Sequence, residues 1–231
     1  RRPGSRSRHR STTRSFAEGL GWLGVVVGEV KERRRGGEFL PLEDHRRSGH
    51  QQGGGAPAEP HRAEAERITA ALVEALYDPA EGMFLAWDAR QDRSLRVRTV
   101  GGLVPLVLPG LDRAVVDALV ATLTGPSFRP ERAGVRGVPS FDLTDPSHDP
   151  QRYWRGPTWL NMTWLVARGL ARHGYADLAG ALEDDIVTLV DGAGLREYFH
   201  PVAGTGHGTD RFSWSAALLI DVLVQSRPAE A

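Results

Sequence analysis

Tyr153-Trp154-Arg155-Gly156-Pro157-Thr158-Trp159-Leu160-Asn161 sets large aromatics and one cation beside a Gly-Pro break, and an apolar helical pattern follows. An arginine between two tryptophans does not suit a buried core, where an unpaired charge is costly. It suits a surface that takes a sugar, because aromatic faces stack on pyranose rings and a guanidinium offers a planar fork to oxygen acceptors. Downstream come Leu195-Arg196-Glu197-Tyr198-Phe199-His200-Pro201, then Gly204-Thr205-Gly206-His207-Gly208, then Phe212-Ser213-Trp214-Ser215. Four of the six tryptophans (Trp154, Trp159, Trp164, Trp214) fall in this C-terminal part. That clustering points to a carbohydrate site.

The 231 residues suit one domain with a tail, and 40% hydrophobic with 25% charged residues is ordinary for a soluble protein. A formal net charge of +0 gives no general pull toward nucleic acid or membrane. The absence of cysteine excludes disulfides, thiolate metal sites and a Cys nucleophile, and is compatible with a cytoplasmic home. No apolar run approaches the roughly 20 residues that span a bilayer. The apolar stretch 20–30 is broken by glycine and flanked by Glu18 and Glu29, which speaks against a signal peptide.

Residues 1–59 lack periodicity and carry Arg33-Arg34-Arg35, Arg46-Arg47 and a glycine run, so a disordered basic leader is expected there. An arm for RNA or anionic lipid is the functional alternative, disfavoured because no aromatics interleave the charges. From 60 onward the texture is helical. Ile68, Leu72 and Leu76, with Ala71 and Ala75, share a helical face over 60–77, and Asp78-Pro79 and Gly82 end it. The alternation over 83–98 predicts a hairpin with its turn at 88–94. Helices are expected over 99–108 and 112–123, capped by Thr99 and Asp112, with a long loop over 125–150. Three more are expected over 158–173 (Gly174 closing it), 175–190 and 211–225. Short and long connections alternate between the helices, the pattern of a ring of paired helices with its site-building loops at one end.

Glu197 is the leading catalytic candidate. Aromatic neighbours desolvate a carboxylate, Arg196 or Arg155 would restore its charge, and the combination suits a base that activates water. The plainer alternative is a glutamate at a loop edge. Tyr153, Trp154, Arg155, Gly156, Trp159 and Trp214 are candidate substrate-binding residues; the alternative for Trp159 is a helix start packed on the core with Pro157 at its first turn. Gly204, Gly206 and Gly208 lack the lysine and the preceding strand of a phosphate loop, so a tight backbone approach is expected instead. His200 and His207 have no third partner at metal-ligand spacing, and neither a metal nor a cofactor is expected. For Asp142, Asp145 and Asp149, loop capping is favoured over sugar or cation binding.

Three ordered blocks carry a resemblance: residues 149–161, Glu197-Tyr198-Phe199-His200-Pro201 with its three glycines, and Phe212-Ser213-Trp214. They resemble the C-terminal half of the (α/α)6-barrel glycosidases of glycoside hydrolase family 63, above all the mannosylglycerate and glucosylglycerate hydrolases. The likeness extends back through Arg98-Thr99-Val100-Gly101-Gly102-Leu103-Val104-Pro105-Leu106 and 77–87, covering about 60–227. It implies an all-α partial toroid and an inverting hydrolase of a glucosyl or mannosyl linkage. By motif position Glu197 matches the general base, Tyr153, Trp154, Arg155 and Gly156 a loop lining the site, and Trp214 a place near the sugar.

The departure is as informative. The family's general acid is an aspartate in a Gly-Asp-Asn-Ser-like segment, which this sequence lacks; Leu42-Glu43-Asp44-His45-Arg46 does not resemble it. About six helices are legible where the full ring needs about twelve. The expectations are therefore a truncated, weakly active or inactive glycosidase with a carbohydrate substrate, or a non-catalytic module completed by a separate barrel half. Half a ring would expose an apolar seam suited to self-association.

Overall fold

The computed structural model describes residues 58–225, Arg132 excepted. The expected basic leader, with its nucleic-acid alternative and Asp44, lies outside the described residues, but for Ala58 and Glu59 at the start of the first helix. Two units divide the chain, Arg1–Ala63 and Glu64–Ala231.

Helix α1 covers Ala58–Leu76. It turns Leu72, Val73 and Leu76 to the core, with Thr69 buried beside them, whereas Ile68 is exposed. The buried face is thus rotated by about one residue from the expected one. The chain leaves α1 through two two-residue hairpins, β1 (Tyr77–Asp78) with β2 (Met83–Phe84) and β3 (Trp87–Asp88) with β4 (Arg93–Ser94). Each is closed by an aspartate whose Oδ1 accepts two backbone N–H bonds: Asp78 from Ala80 and Glu81, Asp88 from Arg90 and Gln91.

The helix expected over 99–108 is two 3₁₀ turns, Val100–Gly102 and Val104–Val107. Pro105 supplies no N–H to an α-helical ladder. Gly102 also lies so close to β2 that a Cβ there would stand 2.2 Å from the Phe84 carbonyl oxygen. Thr99 makes no side-chain cap, and its backbone instead bridges Phe141. Helix α2 (Arg113–Thr124) starts after Asp112, whose side chain makes no cap bond either; its carbonyl accepts from Val116 N–H.

Helices α3 (Leu160–Arg172) and α4 (Ala176–Ala193) pack as a hairpin joined through His173, Gly174 (φ +87) and Tyr175. The last helix, α5 (Ser213–Gln225), lies on both. One core cluster joins β2, the 3₁₀ turns, α2, α3 and the start of α4; Leu103, Leu106, Val116, Leu119, Phe128 and Val166 are fully buried in it. A second joins Leu160, Ile186, Leu189, Val190, Phe199 and Val222, beneath the loops that follow α4.

The long segment 125–150 is laid down across this core rather than looped into solvent. Phe128, Val138 and Phe141 are buried. Asp185 of α4 pairs with Arg129 and accepts from Gly137 N–H at 2.8 Å, while Val138 N–H donates to Thr163 Oγ1 at 3.1 Å. Among the described residues no helix is long and apolar enough to cross a membrane.

Candidate active site

The two sequence blocks that suggest a site are joined through their backbones. Thr158 and Phe199 exchange N–H···O bonds of 2.8 and 2.9 Å, and Thr158 also bridges Pro139. Thr158 is therefore held extended, and α3 begins two residues later than its sequence pattern suggests. This bridge brings Tyr153, Trp154 and Trp159 to the hairpin β5 (Tyr198–Phe199) and β6 (Gly206–His207), a third hairpin that the sequence pattern does not announce.

Glu197 sits half-buried at the start of β5 and both its oxygens are engaged. Tyr153 O–H donates to Oε1 at 3.1 Å, and Thr209 N–H donates to Oε2 at 3.0 Å. The Glu197 N–H donates in turn to the Thr209 carbonyl at 3.1 Å. No cation meets it among the described residues, contrary to the expectation from its neighbours. Arg196 reaches toward Asp210 at 3.9 Å, and the exposed Arg155 lies over the Phe141 ring at 5.6 Å. Hydrogen bonds, not an ion pair, are what the described residues offer this carboxylate.

Four rings stack behind it. Trp154 lies flat on Trp159 (centroids 4.3 Å, planes 3° apart), Trp159 on Tyr198 (5.2 Å, 26°) and Tyr198 on His207 (5.9 Å, 16°). Tyr153 meets Trp154, Trp159 and Tyr198 edge-on at 4.9–6.1 Å. Such T-shaped contacts match the positive ring edge to the negative face. Burial pushes the Tyr153 hydroxyl up to about 12, helped by the nearby Glu197 charge, so it remains a proton donor throughout the neutral range. Tyr198 is raised for the same two reasons.

The candidates divide by exposure. Trp154 is half-buried at one end of the stack. Trp159 is 3% exposed, covered on one face by Trp154 and on the other by Tyr198, and its Nε1 donates to the Tyr153 carbonyl at 3.1 Å. It supports the stack from within. Gly156 is buried where a Cβ would meet the Asp149 carbonyl oxygen at 2.6 Å; it shapes the turn. Trp214 is 51% exposed at the start of α5, its ring against Phe212. That helix end is tied to the Glu197 strand, because Phe212 N–H donates to the Leu195 carbonyl and Ser215 Oγ to the Arg196 carbonyl.

The acidic loop caps itself: Asp142, Asp145 and Asp149 accept from the N–H groups of Thr144, Ser147 and Gln151. His200 Nδ1 accepts from Val202 and Ala203, and His207 Nε2 contacts Thr205 Oγ1. Among the described residues no cluster of three or more His, Cys, Asp or Glu side chains could hold a metal. Sequence reasoning missed Thr209 and the ring role of His207. Their signal was the glycine spacing, which lets β6 fold back on Glu197.

Known proteins resemble this chain in sequence and in fold. The family model described as the mannosylglycerate hydrolase MGH1-like glycoside hydrolase domain matches residues 47–215. A mannosylglycerate hydrolase of Rubrobacter radiotolerans is 39% identical over 164 residues, which cover 71% of this chain and 37% of the relative. A glucosylglycerate hydrolase of Mycolicibacterium hassiacum is 32% identical over 162 residues, 69% of this chain and 36% of the relative. The crystal structure of the GH63 mannosylglycerate hydrolase from Thermus thermophilus in complex with Tris and D-glycerate superimposes with a TM-score of 0.61. It is 37% identical, and the match covers 70% of this chain and 39% of that one. The chain thus spans well under half the length of the relatives it matches. Its helix pairs and small hairpins form part of an (α/α)6-type toroid.

Proposed function

The chain belongs to the mannosylglycerate hydrolase MGH1-like glycoside hydrolase family, and from that we propose that it is the base-bearing part of an inverting glycosidase. Glu197 removes a proton from the water that attacks the anomeric carbon, and Trp154 stacks on the sugar. Tyr153, Arg155 and Trp214 border the same space. The substrate class follows the relatives' names: a mannosyl or glucosyl group linked to glycerate. The carrying observation is that Tyr153, its ring packed edge-on against Trp154 and Tyr198, donates to a carboxylate that meets no cation among the described residues.

Inversion needs a second carboxyl group roughly 6.5–9.5 Å from the base. Asp142, Asp145 and Asp149 are committed to their own turns, and Asp210 lies beside Arg196 and Arg211. By the family resemblance the acid is an aspartate of a Gly-Asp-Asn-Ser-like segment, which this sequence lacks. A glycosyl fluoride tests this division of labour, because fluoride leaves without a proton donor and glycerate does not. The 231-residue chain is expected to hydrolyse mannosyl or glucosyl fluoride. It should lag on the glycerate glycosides by about 10²–10⁴-fold, the usual contribution of general acid–base catalysis. Equal rates on both substrates would place the acid within this chain; no hydrolysis of either would remove the proposal.

A second role, in assembly, is favoured by α5. That helix is apolar nearly all round, yet Ile220, Leu223 and Val224 are 48–62% exposed at helical spacing along it. A helix of that composition normally has both faces covered. The purified chain is expected to elute above its monomer mass at micromolar concentration and to return to monomer in Ile220→Glu/Val224→Lys. A wild-type monomer would argue against association.

A further inference from the structure

Glu197 is gripped from two sides by groups that lie apart in sequence. On one side Gly208 adopts φ +70, a left-handed conformation that glycine enters without penalty. A Cβ at this position would stand 2.5 Å from Glu197 Oε2 and 2.8 Å from Glu197 Cβ. Only glycine lets the turn come near enough for Thr209 N–H to reach Oε2 at 3.0 Å. On the other side Tyr153 holds φ +40, unusual for a bulky residue and of a kind that costs about 1–3 kcal/mol. Its carbonyl is fixed by Trp159 Nε1, its ring by three edge contacts, and its hydroxyl ends on Oε1. A residue that merely borders a pocket does not need a strained backbone locked at both ends.

We propose that Tyr153 and the Gly208–Thr209 peptide are positioning groups that fix the plane of the Glu197 carboxylate for taking a proton from the attacking water. This rests on the assignment of Glu197 as the base. Each oxygen spends one acceptor site on its holder and keeps another free. Neither holder takes the water's proton. Both act by keeping the base from rotating, since a misplacement of about 1 Å at a reacting group costs on the order of 10²-fold in rate.

Tyr153→Phe keeps the ring and removes one grip; Gly208→Ala disturbs the other. With a glycosyl fluoride as substrate, each is expected to lower kcat by about 10–100-fold with KM within about twofold. A raised KM with unchanged kcat would make Tyr153 a sugar contact only, and would overturn its positioning role. The second measurement needs no turnover. In the full chain labelled with ¹⁵N-threonine, the Thr209 amide proton is expected to move as acid protonates the carboxylate it faces. That movement should vanish in Glu197→Gln. A Thr209 resonance that ignores acid, or moves equally in Glu197→Gln, would overturn the inference even in a chain that hydrolyses nothing. Absence of turnover with the amide response intact would instead count against Glu197 as the base.

Discussion

Glu197→Gln is expected to lower hydrolysis of a glycosyl fluoride by about 10²–10⁴-fold, because an amide cannot accept the proton of the attacking water. The substitution changes little else. Glutamine has the same shape, so the stack of Trp154, Trp159 and Tyr198 has no reason to move. It does change the hydrogen-bond roles. The carboxylate accepts from both Tyr153 O–H and Thr209 N–H, whereas an amide offers one oxygen and one NH₂. The amide oxygen can still accept from Thr209 N–H while its NH₂ donates to the Tyr153 hydroxyl oxygen, so both contacts can be kept with one direction reversed. The outcome to look for is a folded chain with KM near wild type and kcat collapsed. Turnover surviving in Glu197→Gln would take the carboxylate out of the chemistry.

The aromatic and glycine blocks were legible in the sequence because their residue types have few other uses. A Tyr-Trp-Arg-Gly-Pro run, or three glycines at alternate positions, is poor core material and poor helix material. What the sequence could not show was the pairing between blocks. The Thr158–Phe199 bridge joins residues far apart in the chain through backbone groups, which every residue carries. The third hairpin was hidden for the same reason, its strands being two residues long. The helix expected over 99–108 failed differently. Its apolar spacing fits an α-helix, but Pro105 locally lacks a ladder N–H, a signal the periodicity outweighed, and the contact of Gly102 with β2 is tertiary. Ile68 shows the limit of periodicity on α1, where several faces are nearly equivalent in apolar content and packing chose the one bearing Leu72 and Leu76.

The largest stability effect is expected at Gly169, on the face of α3 that meets the second 3₁₀ turn. A Cβ there would stand 2.5 Å from Leu106 Cβ and 2.6 Å from the Leu106 backbone carbon. Carbon atoms prefer roughly 3.5–4.0 Å, so helix and turn must separate by on the order of 1 Å. Leu106, Val166, Ala167 and Leu170 around this contact are fully buried, leaving no slack to absorb the shift. Overpacking of this kind costs about 1–3 kcal/mol, and the clash involves backbone, which cannot rotate aside. Helix propensity works in the opposite direction, since alanine is better than glycine in a helix interior by about 1 kcal/mol. Gly180 in α4 separates the two effects, because a Cβ there meets nothing within 4 Å. Gly180→Ala should therefore raise Tm, by roughly 2–4 °C for each 1 kcal/mol in a domain of this size. Gly169→Ala should lower it, because steric overlap outweighs propensity. Thermal melts of the two variants beside wild type decide the matter: a Gly169→Ala chain as stable as Gly180→Ala would mean that α3 and the Leu106 turn do not pack as closely as described.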